Sequence, residues 1–335
     1  MDSRRNNYFI FRNLAAIKTA QELAVDFPDI RFILLKGAAL FSFARSNDNN
    51  KSDDKIFLLR PTEDVDVLLA ENSEYDKLLS SQVPHHRHAF SRISFLEEKG
   101  YRKVKNDSQT YRKFTTENFL LPIDFHRKIW YIPDDKTHEK IIARAVPVGV
   151  EYPPNLLRLR GEDLWVDIAV HSVFHHTLRP SEKAADLDFL EGVCPIDKRI
   201  VADLLDDYFG AGARNAVIDS VREDKWKDLR RYNNGEGFIE NCRYIFYKKF
   251  IASDFPAKGF AARCFLVRRR QGIAGKIKFF MREILFPPAD FVRRRYDLKS
   301  HLAVRFFQFI RPFIVGAKAA ASLLFLKTNI PFSNK

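Results

Sequence analysis

Two carboxylates, Asp64 and Asp66, stand one residue apart in the run IFLLRPTEDVDVLLA from Ile56 to Ala70. In a strand alternate residues share a face, so both acids point one way while Val65 and Val67 point the other. Like charges placed together on a half-buried strand are costly unless something neutralises them, and a divalent cation is the usual solution. The plainer alternative is a strand end where two aspartates simply meet water. A third acid has a similar setting. Asp124 lies between Ile123 and Phe125 in NFLLPIDFHRKIW, and His126 shares its face. Upstream, the apolar stretch Arg31–Leu35 runs into Lys36-Gly37 and then into the helical AALFSFA. A strand, a glycine and a helix N-terminus form a common anion site, because the first-turn N–H groups are unpaired and point outward. Each feature alone is weak, since a glycine after a strand is ordinarily a turn. Their joint occurrence in this order is what points to a cation and a phosphate.

The elements that must position these residues follow from the hydrophobic pattern. The N-terminus, MDSRRNNYFIFRNLAAIKTAQELA, reads as an amphipathic helix and lacks the uninterrupted apolar core of a signal peptide. After the Arg31–Leu35 strand and its helix come a polar loop at Asn47–Lys55, the aspartate strand, and a helix near Ser73–Ser81. A loop holding His85, His86 and His88 is followed by a helix, AFSRISFLEEK, that Gly100 ends as a C-cap. A strand begins at Tyr101–Val104. Tyr111–Thr115 and Phe119–Arg127 then form a hairpin around Thr116–Asn118. This order predicts an α/β (α+β) domain with a mixed sheet over residues 1–132. Beyond Pro133 the segments show helical spacing and no strand signal, which predicts a mostly α-helical domain over 133–335.

The combination resembles the DNA polymerase β-like nucleotidyltransferase superfamily, whose members carry a glycine motif, a DxD or DxE pair and a third acid. It is most similar to a branch of uncharacterised bacterial nucleotidyltransferases. The matching motifs are Leu35-Lys36-Gly37, Arg60-Pro61-x-x-Asp64-Val65-Asp66-Val67-Leu68-Leu69 and Ile123-Asp124-Phe125-His126. A later helix with His171, His175 and Asp186 is similar too, so the resemblance spans roughly residues 25–215, and more loosely the tail around ILFPPADFVRRRY. It implies transfer of a nucleoside monophosphate from an NTP, such as ATP, to a hydroxyl acceptor on a small molecule, a protein or an RNA end. Two Mg²⁺ ions suit that chemistry, one acting on the attacking hydroxyl and one on the triphosphate. The resemblance makes Asp64, Asp66 and Asp124 the catalytic metal ligands. It places Lys36, Gly37, Ala38, Arg60 and His126 around the nucleotide, with Gly37 admitting the β- and γ-phosphates. Two departures stand out. Ala38 occupies a position where many relatives have Ser, and 27 positions separate Gly37 from Asp64. A lengthened surface loop costs little entropy, so the site survives it.

Other residues invite weaker readings. His171 and His175 are four apart on a helix, but Leu164 and Ile168 share their face and no HExxH is present. Partly buried histidines with satisfied partners are the simpler account. The three cysteines, Cys194, Cys242 and Cys264, form no CxxC, so no disulfide partner is expected and a reducing cytoplasm is the default compartment. The net charge of +13 is concentrated: residues 259–311 hold thirteen Lys or Arg against three acids. This basic segment could meet nucleic acid, or an anionic surface such as the inner membrane to which the protein would be peripheral, or simply water. A catalytically silent adaptor that binds through that segment is the alternative to an enzyme.

Overall fold

In the computed structural model the described residues are 3–46, 62–71, 74, 78, 95–104, 110–114, 119–129, 131–132, 134–175, 180–222, 226, 267, 272–289, 292–293, 298 and 300–328. The expected loop histidines His85, His86 and His88 fall outside them, as does Arg60. The chain divides into two compact units, Met1–Ile168 with Ala185–Asp197, and Ala169–Ala184 with Lys198–Lys335.

The first unit is built on a seven-stranded mixed sheet of order β3-β4-β5-β2-β1-β7-β6. Helix α1 (Ser3–Asp26) precedes β1 (Phe32–Leu34), which leads at once into α2 (Lys36–Ser46). Strand β2 (Val65–Leu69) lies antiparallel to β1 and parallel to β5 (Ile123–His126). All five β2 residues are buried, which explains why an apolar run without strict alternation forms this strand. The short helix α3 (Phe95–Glu98) ends at Gly100, whose φ of +85° is the left-handed conformation of a C-cap. Strands β3 (Tyr101–Lys103) and β4 (Thr110–Lys113) pair antiparallel, and β4 pairs antiparallel with β5, as the expected hairpin requires.

The sheet does not stop at residue 132. Beyond helix α4 (Asp135–Ala143), strand β6 (Val146–Pro147) pairs with β7 (Leu156–Arg158), and β7 lies parallel to β1. The expectation that strands end before Pro133 is therefore corrected. Two or three residues cannot display a period of two, so neither strand leaves a sequence signal. What fixes β7 against β1 is a side chain next to it. The Asn155 amide donates to the carbonyls of Ala24, Phe27 and Ile30 at 2.9–3.0 Å, tying the end of α1 and its exit loop to the β7 entrance. Helix α5 (Gly161–Val170) follows, leading into a π-helical turn at His171–His175, and α6 (Pro180–Val193) returns to the first unit.

Helix α4 carries a buried histidine. His138 is 7% exposed and its Nε2 has no hydrogen-bond partner among the described residues. Burial first, and then the Lys128 charge, hold its pKa below the ordinary imidazole value. The unfolded chain thus takes up a proton near pH 6.5 that the folded chain resists, so this residue costs stability as pH falls through that value. His138→Leu should flatten the pH dependence of Tm between about pH 5 and 7. An unchanged profile would show that the imidazole titrates freely in the fold.

In the second unit the described elements are helical. Besides the π-helical turn at His171–His175 they are α7 (Lys198–Phe209), α8 (Ala211–Arg222), α9 (Gly272–Phe279), a π-helical segment (Phe280–Leu285) and α10 (His301–Thr328). Helices α7 and α8 are joined through Gly210, with φ of +81°. The buried Arg214 guanidinium donates to Asp206 at 2.7 Å across that corner. Helix α10 is held by its inner side. The Arg311 guanidinium donates to the Ile284 carbonyl at 2.9 Å, and Gln308 donates to the Pro287 carbonyl at 2.7 Å. No helix among the described residues is long and apolar enough to cross a membrane.

Candidate metal and phosphate site

The register of three strands brings the chemistry together. Parallel pairing of β2 with β5 sets Asp66 directly opposite Asp124, so the two carboxylates share one face of the sheet. His126 lies two residues further along β5 on the same face. Its Nε2 is 2.7 Å from Asp66 Oδ1 and 3.4 Å from Asp124 Oδ2. One ligand atom from each of Asp66, Asp124 and His126 lies within 4.8 Å of the others, a separation that one divalent cation can span. His126, read from sequence as a residue near the nucleotide, is thus a member of the converging donor set. Asp64 lies just before β2 and outside that set.

Strand β1 delivers the counter-charge. The Leu35 N–H donates to the Asp66 carbonyl at 3.0 Å, and the chain turns at Lys36 with φ of +48°, unusual for a residue with a side chain. Helix α2 begins there, and Lys36 Nζ donates to Asp66 Oδ1 at 2.7 Å. One carboxylate oxygen therefore accepts from both an ammonium and an imidazole. Burial alone would raise the Asp66 pKa, but the His126 hydrogen bond and the Lys36 charge outweigh it and hold it below the ordinary value. For Lys36, burial works against the charged form, yet Asp66 wins and the pKa is raised, with help from Asp167 and Asp64. For His126 burial lowers the value, and the Asp66 hydrogen bond and the Asp66 and Asp124 charges raise it further than that. Asp64 goes the other way. Burial and then the charge of Asp66 push it up to about 6.

The glycine is required by its surroundings. A Cβ on Gly37 would stand 2.5 Å from Thr62 Oγ1. Thr62 is not free to retreat, because α1 grips it from both sides. Asn13 Oδ1 accepts from the Thr62 N–H at 3.1 Å, and Arg12 donates to the carbonyls of Thr62 and Glu63 at 3.1 and 3.0 Å. Ala38, next along α2, is buried, so its methyl group packs inside the fold. Gly37→Ala would gain up to about 1 kcal/mol of helix propensity in an open site. Here the clash should reverse the sign and cost about 1–3 kcal/mol. Adding Thr62→Ala, which removes the clashing oxygen, should recover most of it. A Gly37→Ala protein that melts higher than the wild type in the Thr62 background would show that the contact is not limiting.

Three residues at or around the site were not found by sequence reading. Arg12 and Asn13 position the Thr62–Glu63 entrance to β2, and their signal was hidden in a helix that looked merely amphipathic. Asp167, buried on α5, acts electrostatically on Lys36. Its one sequence signal was an acid inside the apolar stretch LWVDIAV. His171, in the π-helical turn, is buried in the second unit, and Asp186 is buried in the first.

The donor set fits a divalent cation. Two carboxylates suit hard ions such as Mg²⁺ and Mn²⁺, while the imidazole makes the set softer than one of oxygen alone. The chain matches no family model, no curated protein and no solved structure.

Proposed function

We propose that the first unit is a nucleotidyltransferase domain of the DNA polymerase β-like kind. In this reading the chain transfers a nucleoside monophosphate from an NTP to a hydroxyl acceptor and releases pyrophosphate. The observation that carries the reading is the pairing of Asp66 with Asp124 across parallel strands, with Lys36 entering the same site from the strand-to-helix turn. Divalent cations, when bound, would supply charge to the attacking hydroxyl and to the triphosphate. Asp66, Asp124 and His126 would hold a cation, with Asp64 beside them for a second. The Lys36 ammonium would turn from Asp66 to a phosphate oxygen, and the first-turn N–H groups of α2 would face the phosphates. In the balanced reaction the acceptor oxygen bonds to the α-phosphorus and the bond to the β-phosphate bridge breaks. Pyrophosphate leaves and the hydroxyl proton passes to water.

The test is direct. The purified protein is incubated with each α-labelled NTP, Mg²⁺ or Mn²⁺, and cell extract, and any labelled acceptor is identified. Transfer of label that is absent with Asp66→Asn supports the reading. Absence of both label transfer and cation-dependent NTP binding under all of these conditions would sink it.

A further inference from the structure

We propose that the second unit docks on an anionic membrane surface through the outer face of α10. Four large apolar side chains lie along that face. Leu302, Phe306, Phe309 and Phe313 are 63–78% exposed, and their spacing of four, three and four places them in one stripe. The opposite side of the helix is fixed inward: Val304 is fully buried, and Arg311 and Gln308 are bonded to carbonyls of the segment around residues 284–287. The helix therefore cannot roll to hide the stripe without breaking those bonds. A second exposed apolar row, Ile273, Ile277, Phe280 and Met281, runs from α9 into the π segment. Single exposed apolar residues are ordinary, but contiguous rows of this size mark an interaction face.

The charge identifies the occupant. Lys278, Arg282, Arg293 and Arg305 are exposed among these rows, and residues 272–320 hold ten Lys or Arg against three acids, Glu283, Asp290 and Asp297. The basic stretch 259–311 as a whole carries ten of the chain's net +13 charges. A second copy of the chain would bring the same positive charge to the contact, which opposes self-association. Nucleic acid would find cations and, in Phe280, Phe306, Phe309 and Phe313, rings to stack on, but the aliphatic Leu302, Ile273, Ile277 and Met281 exposed with them offer it neither stacking nor hydrogen bonds. An anionic bilayer matches both features, taking the apolar stripe at the acyl boundary and the cations at the headgroups. Because none of the described helices can span a bilayer, the contact is a surface one. It does not depend on the nucleotidyltransferase reading.

The full-length protein is mixed with vesicles of phosphatidylcholine, with and without phosphatidylserine, and floated. The wild type should float with the anionic vesicles, and added salt should release it. The triple variant Phe306→Ser, Phe309→Ser, Phe313→Ser should lose at least about tenfold in bound fraction. Lys278→Gln with Arg282→Gln and Arg293→Gln should erase the preference for phosphatidylserine. Hydrogen exchange of the wild type supplies a reading that needs no variant: amides of 301–320 should gain protection when anionic vesicles are added. Flotation unchanged in the Phe variant, no flotation, or no added protection each overturns the proposal. So does salt-sensitive binding of a single-stranded RNA probe without vesicle binding, which would assign the surface to nucleic acid. A dimer that the Phe variant abolishes, with no vesicle binding, would assign it to a second copy.

Discussion

A protein carrying Asp66→Asn and Asp124→Asn should bind Mn²⁺ and Mg²⁺ at least about 100-fold more weakly than the wild type. The magnitude follows from comparison. Losing a residue that merely orients a ligand typically costs 10–100-fold, and here two of three ligands lose their charge. The amides keep the shape and the β2–β5 register, so the loss is one of charge and not of fold. Isothermal titration calorimetry and Mn²⁺ electron paramagnetic resonance both read it. The wild type should also bind cations more tightly as pH rises, because His126 must give up its Nε2 proton to act as a ligand. That proton is held above the ordinary value of 6.5, so the affinity should still be climbing above that pH. Unchanged affinity in the double variant would remove the metal reading, and with it the main support for nucleotide transfer.

Lys36→Met separates two roles that share one atom. In the wild type the ammonium neutralises Asp66 Oδ1, the same oxygen that a cation at the Asp66, Asp124 and His126 donors would take. Without the ammonium the largely buried Asp66 keeps only His126, and the protein should lose about 1–3 kcal/mol of stability. A divalent cation can fill the empty role, so the rise in Tm on adding Mn²⁺ should be larger in Lys36→Met than in the wild type. Nucleotide should behave in the opposite way. If Lys36 serves a phosphate, NTP affinity in the presence of saturating Mn²⁺ should fall at least about tenfold, the loss of one charge-assisted bond. Equal Mn²⁺ responses in the two proteins would show that lysine and cation do not compete. An unchanged NTP affinity would confine Lys36 to a structural part.

The second unit and the first were unequally legible. The sheet's inner strands β1, β2 and β5 are readable because each carries apolar residues through its length, and the α3 stop at Gly100 is readable because only glycine takes that φ cheaply. β6 and β7 are not readable, since elements of two or three residues have no period, and Asn155, which pins β7, is an ordinary loop residue until its three carbonyl partners are in place. The basic C-terminal segment was visible as composition, but charge along a chain does not say which face of a helix looks outward. That depended on Arg311 and Gln308, two polar residues in an apolar helix that turned out to point inward.

By itself the sequence determined the residue types of the site and the face that Asp124 and His126 share, because alternation along a strand is a local property, whereas Asp64, expected on the strand, falls just before it. It also determined that a helix starts at Lys36-Gly37, because the end of an apolar run and a glycine are local too. The tertiary structure decided which donors converge. Register between β2 and β5, set by hydrogen bonds between residues nearly sixty apart in the chain, places Asp66 beside Asp124 and brings His126 into the set while leaving Asp64 at its edge. It decided as well that Lys36 spends its charge on Asp66, since a long side chain finds its partner only when the turn at its own backbone aims it there.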